Sequence, residues 1–264
     1  MELRFQAGGP ESWSADAVIV FLSEDEKLEK AYPELLDAAP WMSIAPGMRD
    51  FHGKKGEMGL LYGPPAHPLS RAVVVGLGKL DALTYAETLE EIRKGAGAAA
   101  VRCRELGVDT LALPVSGLAR FNADVERTIE EIVCAAMLGL WRNKAFKSKE
   151  PEDADPRWLA LLFCDANVPD FPRLAARRGE THAEAVILAR NLANSPANSL
   201  TPEDMAEEAR KLARRHDMNC EVLEREDIVS LGMGGFAAVA AYARPVHGHG
   251  QLPPGVGRMV VCVA

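Results

Sequence analysis

The sequence predicts an α/β fold, because segments with the pattern of buried strands alternate with amphipathic helices along its first half. Its composition agrees, since 48% of the 264 residues are hydrophobic and 26% are charged, which is typical of a globular protein with a packed core. The formal net charge is −8 and basic residues occur at most as doublets. A nucleic-acid partner is therefore not expected.

Six segments of the first 165 residues have the composition of strands. In DAVIVFL the apolar run after Asp16 is continuous, which predicts a strand buried on both faces of the sheet. The others are ELRFQ, a short segment at residues 60–62, RAVVVGLG, DTLALPV and WLALLF.

Two long helices are predicted between these strands. Thr84 and Glu87 form a capping box at the start of the first, and Gly107 ends it. The second begins at about Asp124. Apolar residues line one face of each helix: Leu89, Ile92, Ala96, Ala99, Cys103 and Leu106 in the first, and Val125, Ile129, Ile132, Val133, Ala136 and Leu140 in the second. The outer face of the second helix carries Glu126, Glu130 and Glu131, which we expect to be solvated together with the adjacent pairs Glu90–Glu91 and Glu207–Glu208.

The second half of the chain begins with a polar loop, NKAFKSKEPEDADP, which precedes the WLALLF strand. Thr181 and Glu184 predict another capping box and a helix that reaches about Ala193. Pro196 ends that helix, and Thr201 caps the next. Met205, Ala209, Leu212 and Ala213 are expected on its buried side. Then follow a strand at CEVL, a short helix at EREDIVSL, a glycine-rich turn that continues into a strand at GMGGFAAVAAYA, and a strand at Met259–Val263.

The sequence indicates a cytoplasmic protein without a membrane segment. Its first residues include charges and no apolar signal core. The longest uncharged stretch, Ile228 to Ala243, falls short of the roughly 20 apolar residues that a membrane span needs. Five scattered cysteines without a CxxC motif are typical of a reducing compartment.

No motif in the chain forms a complete catalytic or nucleotide-binding site. In VVVGLGK, Gly76 and Gly78 match two positions of GxGxxG, but Asp81 stands at the third, so a glycine turn at the end of a strand is the favoured interpretation. His247 and His249 are two residues apart and could bind a metal, but no third ligand is placed by any spacing. The remaining histidines are isolated, and Ser116 lacks the glycine of a nucleophile elbow.

The stretch ARNLANSPANSLTPEDMAEEARKLA, residues 189–213, closely resembles the opening of the catalytic domain in the leucyl aminopeptidase family of cytosol aminopeptidases. The family pattern N-x-x-N-x-P-x-N followed by T-P is carried by Asn191, Asn194, Pro196, Asn198, Thr201 and Pro202. Gly232, Met233 and Gly234 are similar to the family's G-M-G turn, and GKKGE, GLGK and the long helix resemble its N-terminal domain. The resemblance covers about residues 3–241.

This resemblance implies an N-terminal domain at residues 1–168, with a macro-domain-like mixed sheet flanked by helices. Residues 169–264 would be a linking helix and an incomplete α/β peptidase domain. Family members are usually hexameric and remove N-terminal residues from peptides with two divalent ions, zinc, manganese or magnesium.

The resemblance places the metal ligands in V-G-K-G-x-T-F-D and N-T-D-A-E-G-R-L motifs, and neither motif occurs here. After Ala241 the chain departs from the family pattern, as a truncation, an insertion or a frameshift would make it. We therefore assign no catalytic, cofactor-binding or metal-binding residue. We expect no metal to bind this chain and no peptide hydrolysis by it alone.

Two non-catalytic alternatives remain open, beside a degraded gene product without a function. The chain could assemble, with copies of itself or with a full-length peptidase subunit, because a half-built catalytic domain exposes apolar surface. It could also retain the N-terminal sheet as a macro-domain-like ligand binder, for which GLGK is the one candidate phosphate loop.

Overall fold

The computed structural model describes residues 1–24, 26–121, 124–143, 160–165, 171–196, 198–242 and 259–263. Its contacts divide the chain into two compact units, residues 1–189 and residues 190–264. The domain boundary predicted at 168/169 and most of the polar loop before WLALLF lie outside the described residues, and the boundary stays a prediction.

The first unit contains a six-stranded sheet flanked by helices, which confirms the predicted fold class. Its strands are β1 Glu2–Ala7, β2 Ala17–Leu22, β3 Met58–Tyr62, β4 Arg71–Gly76, β5 Thr110–Pro114 and β6 Ala160–Asp165. They lie in the order β1-β6-β5-β2-β4-β3. The pairs β1–β6, β6–β5, β5–β2 and β2–β4 are parallel and β3 is antiparallel to β4, so the sheet is mixed.

Helices cover both faces of this sheet. Four short ones follow β2, namely α1 Leu28–Ala31, α2 Pro33–Ala38, α3 Trp41–Ile44 and α4 Pro46–Arg49. The long ones are α5 Tyr85–Glu105, α6 Val125–Leu140 and α7 Phe171–Ala193. Alternate residues of β2 belong to two different core clusters: Ile19 and Phe21 pack with residues of α5 and α6, whereas Val18 and Val20 pack with residues of α2 and α3. The prediction that β2 is buried on both faces is confirmed.

Of the three helix starts predicted in the first unit, at Thr84, Asp124 and Thr181, the structure has the first two. Thr84 and Glu87 make both bonds of the predicted capping box, and the Asp124 side chain accepts from two backbone N–H groups at the start of α6. The capping box predicted at Thr181 is wrong, because α7 already begins at Phe171. Inside the helix the Thr181 hydroxyl donates to the carbonyl oxygen of Arg177, one turn back, at 3.0 Å.

The second unit contains α8 Pro202–Arg215, β7 Asn219–Leu223, α9 Arg225–Ser230, α10 Gly234–Tyr242 and β8 Met259–Val263. The predicted strand at Met259–Val263 is confirmed, and it pairs antiparallel with β7. The strand predicted after the glycine-rich turn is wrong, because residues 234–242 form a helix. Alanine, which the segment contains four times, is the strongest helix former and outweighs the apolar run that suggested a strand. Within the described residues, no helix is both long and apolar enough to cross a membrane.

Candidate functional site

The glycine turn after β4 packs against residues 53–57 and uses its own amides to do so. All three backbone N–H groups of residues 76–78 donate to carbonyl oxygens at 2.8–2.9 Å. A Cβ on Gly76 would lie 2.2 Å from the carbonyl oxygen of Lys54, so only glycine fits there. The prediction of a turn that ends a strand is confirmed, and these three amides are not free to bind a phosphate. The acceptors are Glu57 for Gly76, Leu22 for Leu77 and Gly53 for Gly78.

Arg120 occupies the edge of the sheet at the carboxyl ends of β2 and β5. The chain leaves β2 toward β3 and β4 on one side of the sheet and leaves β5 toward β6 on the other, and such a point is where open α/β sheets commonly bind ligands. The Arg120 guanidinium donates to the carbonyl oxygens of Phe21 and Gly117, and to Glu26 Oε1 at 3.0 Å. Its Cζ also lies 4.4 and 4.3 Å from two ring centroids, those of Tyr32 and Phe121.

Glu91 on α5 is buried, which corrects the expectation that the pair Glu90–Glu91 is solvated. Its carboxylate lies 2.9 Å from Lys55 Nζ and 3.2 Å from Lys94 Nζ. Burial opposes ionisation, but the hydrogen bonds from Lys55 and Lys94 outweigh it and hold the pKa of Glu91 below its ordinary value. Glu91 therefore fastens the loop at residues 53–57 to α5.

Glu130 on α6 is also buried, which corrects the expectation of a solvated outer face. Only 6% of its side chain is exposed. Its carboxylate lies 2.7 Å from Arg127 Nη1, and α7 adds Arg178 Nε at 3.3 Å and His182 Nδ1 at 3.0 Å. Periodicity along α6 gave no signal for this burial, because the helix that covers Glu130 comes from a later part of the chain.

The family-like stretch at residues 189–202 uses its polar side chains to end one helix and begin the next. Asn194 Nδ2 donates to the carbonyl oxygen of Arg190 at 2.7 Å, and Ser195 Oγ donates to that of Asn191 at 2.8 Å. Thr201 and Asp204 form a capping box at the start of α8, as the N-cap prediction for Thr201 required. These bonds are structural, and none of them defines a catalytic arrangement.

Apolar side chains of the second unit are exposed, which corrects part of the predicted buried side of α8. Ala213 is buried, but Met205 is 41% exposed and Leu212 is 37% exposed. Periodicity identifies the apolar face of a helix but does not show whether another part of the protein covers it. Three further apolar residues are exposed on α9, the turn after it and α10: Val229, Leu231 and Phe236.

Across the residues that the structure describes, no three His, Cys, Asp or Glu side chains are grouped as metal ligands. His67 serves core packing, with Nδ1 hydrogen-bonded to Leu69 and Nε2 lying 3.0 Å from the carbonyl oxygen of Ala38. His247 and His249 lie outside the described residues. The buried carboxylates of the described residues do not fit a two-metal centre, because Glu91 already faces two lysines and Glu130 faces two arginines and a histidine.

Two family models match the sequence. Residues 17–150 match the cytosol aminopeptidase family, N-terminal domain, and residues 187–247 match the cytosol aminopeptidase family, catalytic domain. A probable cytosol aminopeptidase of Nitratidesulfovibrio vulgaris is 46% identical over 244 residues, which is 90% of this chain and 47% of the relative. One of Desulfovibrio desulfuricans is 43% identical over 240 residues, with the same two coverages. The chain thus spans about half the length of the curated relatives it matches.

Solved structures share the fold. A tomato leucine aminopeptidase mutant has a TM-score of 0.73 at 21% identity, over 92% of this chain and 48% of that chain. The bottromycin maturation enzyme BotP has a TM-score of 0.64 at 25% identity, over 85% of this chain and 43% of that chain. At 21% identity, the similarity to the tomato enzyme supports the fold alone.

Proposed function

Because the chain belongs to the cytosol aminopeptidase family, we propose that it supplies the N-terminal domain and the first part of the catalytic domain of a metal-dependent aminopeptidase. The 264 residues by themselves do not hydrolyse peptides. One observation carries this proposal: the sequence contains the stretch that opens the catalytic domain, at residues 189–213, but neither metal-binding motif that the family resemblance implies.

The chemistry that the family's ions supply is the activation of a water molecule and the polarisation of the scissile carbonyl. It requires several carboxylates open to the same site. Here Glu130 is shared by three basic side chains, and Glu91 is shared by two lysines, so their charge is already compensated. These two carboxylates therefore supply no catalytic step. Peptide substrates, the zinc, manganese or magnesium ions and the hexameric state are proposed for the complete enzyme.

The experiment is hydrolysis of leucine p-nitroanilide by the purified chain, with added manganese or zinc and with an EDTA control. The expected result is no metal-dependent turnover, because the ligands for the two ions are missing from the sequence.

A second function, assembly with a full-length peptidase subunit, is favoured by the exposed apolar side chains of the second unit. Val229 and Leu231 are 60% and 62% exposed, and the β7–β8 pair is a sheet of only two strands, which is marginally stable by itself. Among the described residues, Cys103, Cys134 and Cys220 form no disulfide bond. These free thiols and the name cytosol aminopeptidase of the relatives support a cytoplasmic location for such an assembly.

Assembly predicts that a tagged copy of the chain retains a co-expressed full-length cytosol aminopeptidase through purification. Replacing both Val229 and Leu231 with serine should reduce that retention about tenfold or more, since each loses buried apolar area. The matched control replaces Ile44 with serine, because Ile44 is an apolar residue of the first unit that is even more exposed, at 74%. Equal retention by both variants would contradict the assembly proposal.

A further inference from the structure

A cavity of about 590 Å³ lies beside the carboxyl end of β2, between α1, α4 and residues 51–53. Its volume is within the range of about 300–1,000 Å³ that is typical of small-molecule sites. Leu28, Met48 and Phe51 supply an apolar wall, and all three belong to or pack against the core cluster on this face of the sheet.

The frame of the cavity is closely packed. A Cβ on Gly53 would lie 2.3 Å from the carbonyl oxygen of Ser23, so the two loops touch through their backbones. Glu26, which also lines the cavity, accepts from the Ser23 amide at 2.9 Å and from Arg120 at 3.0 Å. Its charge is therefore compensated from within the protein, and the residues around it are held in place.

Three other charged side chains line the same cavity: Lys27, Glu29 and Arg49. Within the described part of the chain, none of the three has an ion pair or a side-chain hydrogen bond. Apart from Glu26, whose charge is compensated, the cavity thus combines an apolar wall with two cations and one carboxylate. A ligand that satisfies all of them carries a carboxylate, an ammonium group and an apolar body.

We propose that this cavity binds a free amino acid with an apolar side chain. Its carboxylate binds the guanidinium of Arg49 and the ammonium group of Lys27, and its own ammonium group binds the carboxylate of Glu29. Its side chain lies against Leu28, Met48 and Phe51. The planar guanidinium of Arg49 matches a carboxylate with two parallel hydrogen bonds, which makes it the stronger of the two cationic contacts. The ligand class follows from the charges of the cavity and does not depend on peptidase activity.

The test is isothermal titration calorimetry of the whole chain with three probes: L-leucine, leucinamide, which lacks the carboxylate, and 4-methylpentanoate, which lacks the ammonium group. We expect L-leucine to bind with a Kd of about a millimolar or tighter, and each analogue to bind about tenfold more weakly. Arg49→Ala should weaken L-leucine binding by a similar factor. Arg102→Ala is the matched control, because Arg102 is an exposed arginine on α5 outside the cavity, and it should leave binding unchanged.

Absence of L-leucine binding, or binding that Arg49→Ala does not weaken, would overturn the proposal. Equal affinity for L-leucine and 4-methylpentanoate would also overturn it, because Glu29 would then contribute nothing. These outcomes are separate from those of the hydrolysis assay, since binding is measured without any turnover.

Discussion

Replacing Arg120 with methionine is expected to lower the free energy of unfolding by about 3 kcal/mol, because three largely buried acceptors lose their donor at once. The carbonyl oxygens of Phe21 and Gly117 and the carboxylate of Glu26 all accept from this guanidinium. Methionine keeps much of the apolar stem but supplies no donor. Urea denaturation monitored by circular dichroism measures the loss.

Two comparisons show whether the loss comes from the donors. Arg120→Lys keeps the charge but not the planar fork, so it should recover only part of the stability. Arg102→Met removes an exposed arginine that pairs with Glu105 one turn away on the same helix, and it should change the free energy of unfolding by less than about 1 kcal/mol. If Arg120→Met lowered the free energy of unfolding no more than Arg102→Met does, the hydrogen bonds of Arg120 would not stabilise the edge of the sheet.

Replacing Gly179 with alanine is expected to destabilise the protein by about 2–3 kcal/mol, although alanine normally stabilises a helix by about 1 kcal/mol relative to glycine. The added Cβ would lie 2.3 Å from the carbonyl oxygen of Glu130 and 3.0 Å from Val133 Cβ, so α7 would have to move away from α6. That movement would lengthen the contacts of Arg178 and His182 with Glu130.

Gly235→Ala is the matched control, because Gly235 is also in a helix but nothing lies within 4 Å of its added Cβ. It should be neutral or slightly stabilising in the same denaturation experiment. If both glycine variants changed stability in the same direction, the close approach of α7 to α6 would not be a determinant of stability.

The sequence alone predicts those features of the structure that depend on residues close together in the chain. The capping residues Thr84, Asp124 and Thr201 define helix starts through bonds that reach only two or three residues ahead, and the structure has all of them. The helix start predicted at Thr181 is wrong because a threonine followed by a glutamate three residues later also occurs inside helices. There the threonine hydroxyl donates to the carbonyl oxygen one turn earlier, here that of Arg177.

The burial of charged residues could not be predicted because it depends on long-range packing. Glu91 forms an ion pair with Lys55, which belongs to a loop distant in sequence, and Glu130 forms an ion pair with Arg178 of α7. The cavity at Arg49 likewise depends on packing between separate segments, because its lining comes from the segment after β2, from α4 and from residues 51–53. The family, by contrast, was recognisable from one contiguous stretch, because the pattern of Asn194, Pro196 and Thr201 requires no knowledge of the fold.

We propose that these 264 residues carry the family's N-terminal domain without its two-metal centre. The most direct measurement is the rate of leucine p-nitroanilide hydrolysis by the purified chain with manganese, with zinc and with EDTA, beside a full-length cytosol aminopeptidase as the positive control. We expect the control to turn over and the chain to give the same background rate in all three conditions. Turnover by the chain that EDTA abolishes would contradict this proposal and would indicate a metal site in this sequence, with His247 and His249 as the first residues to replace.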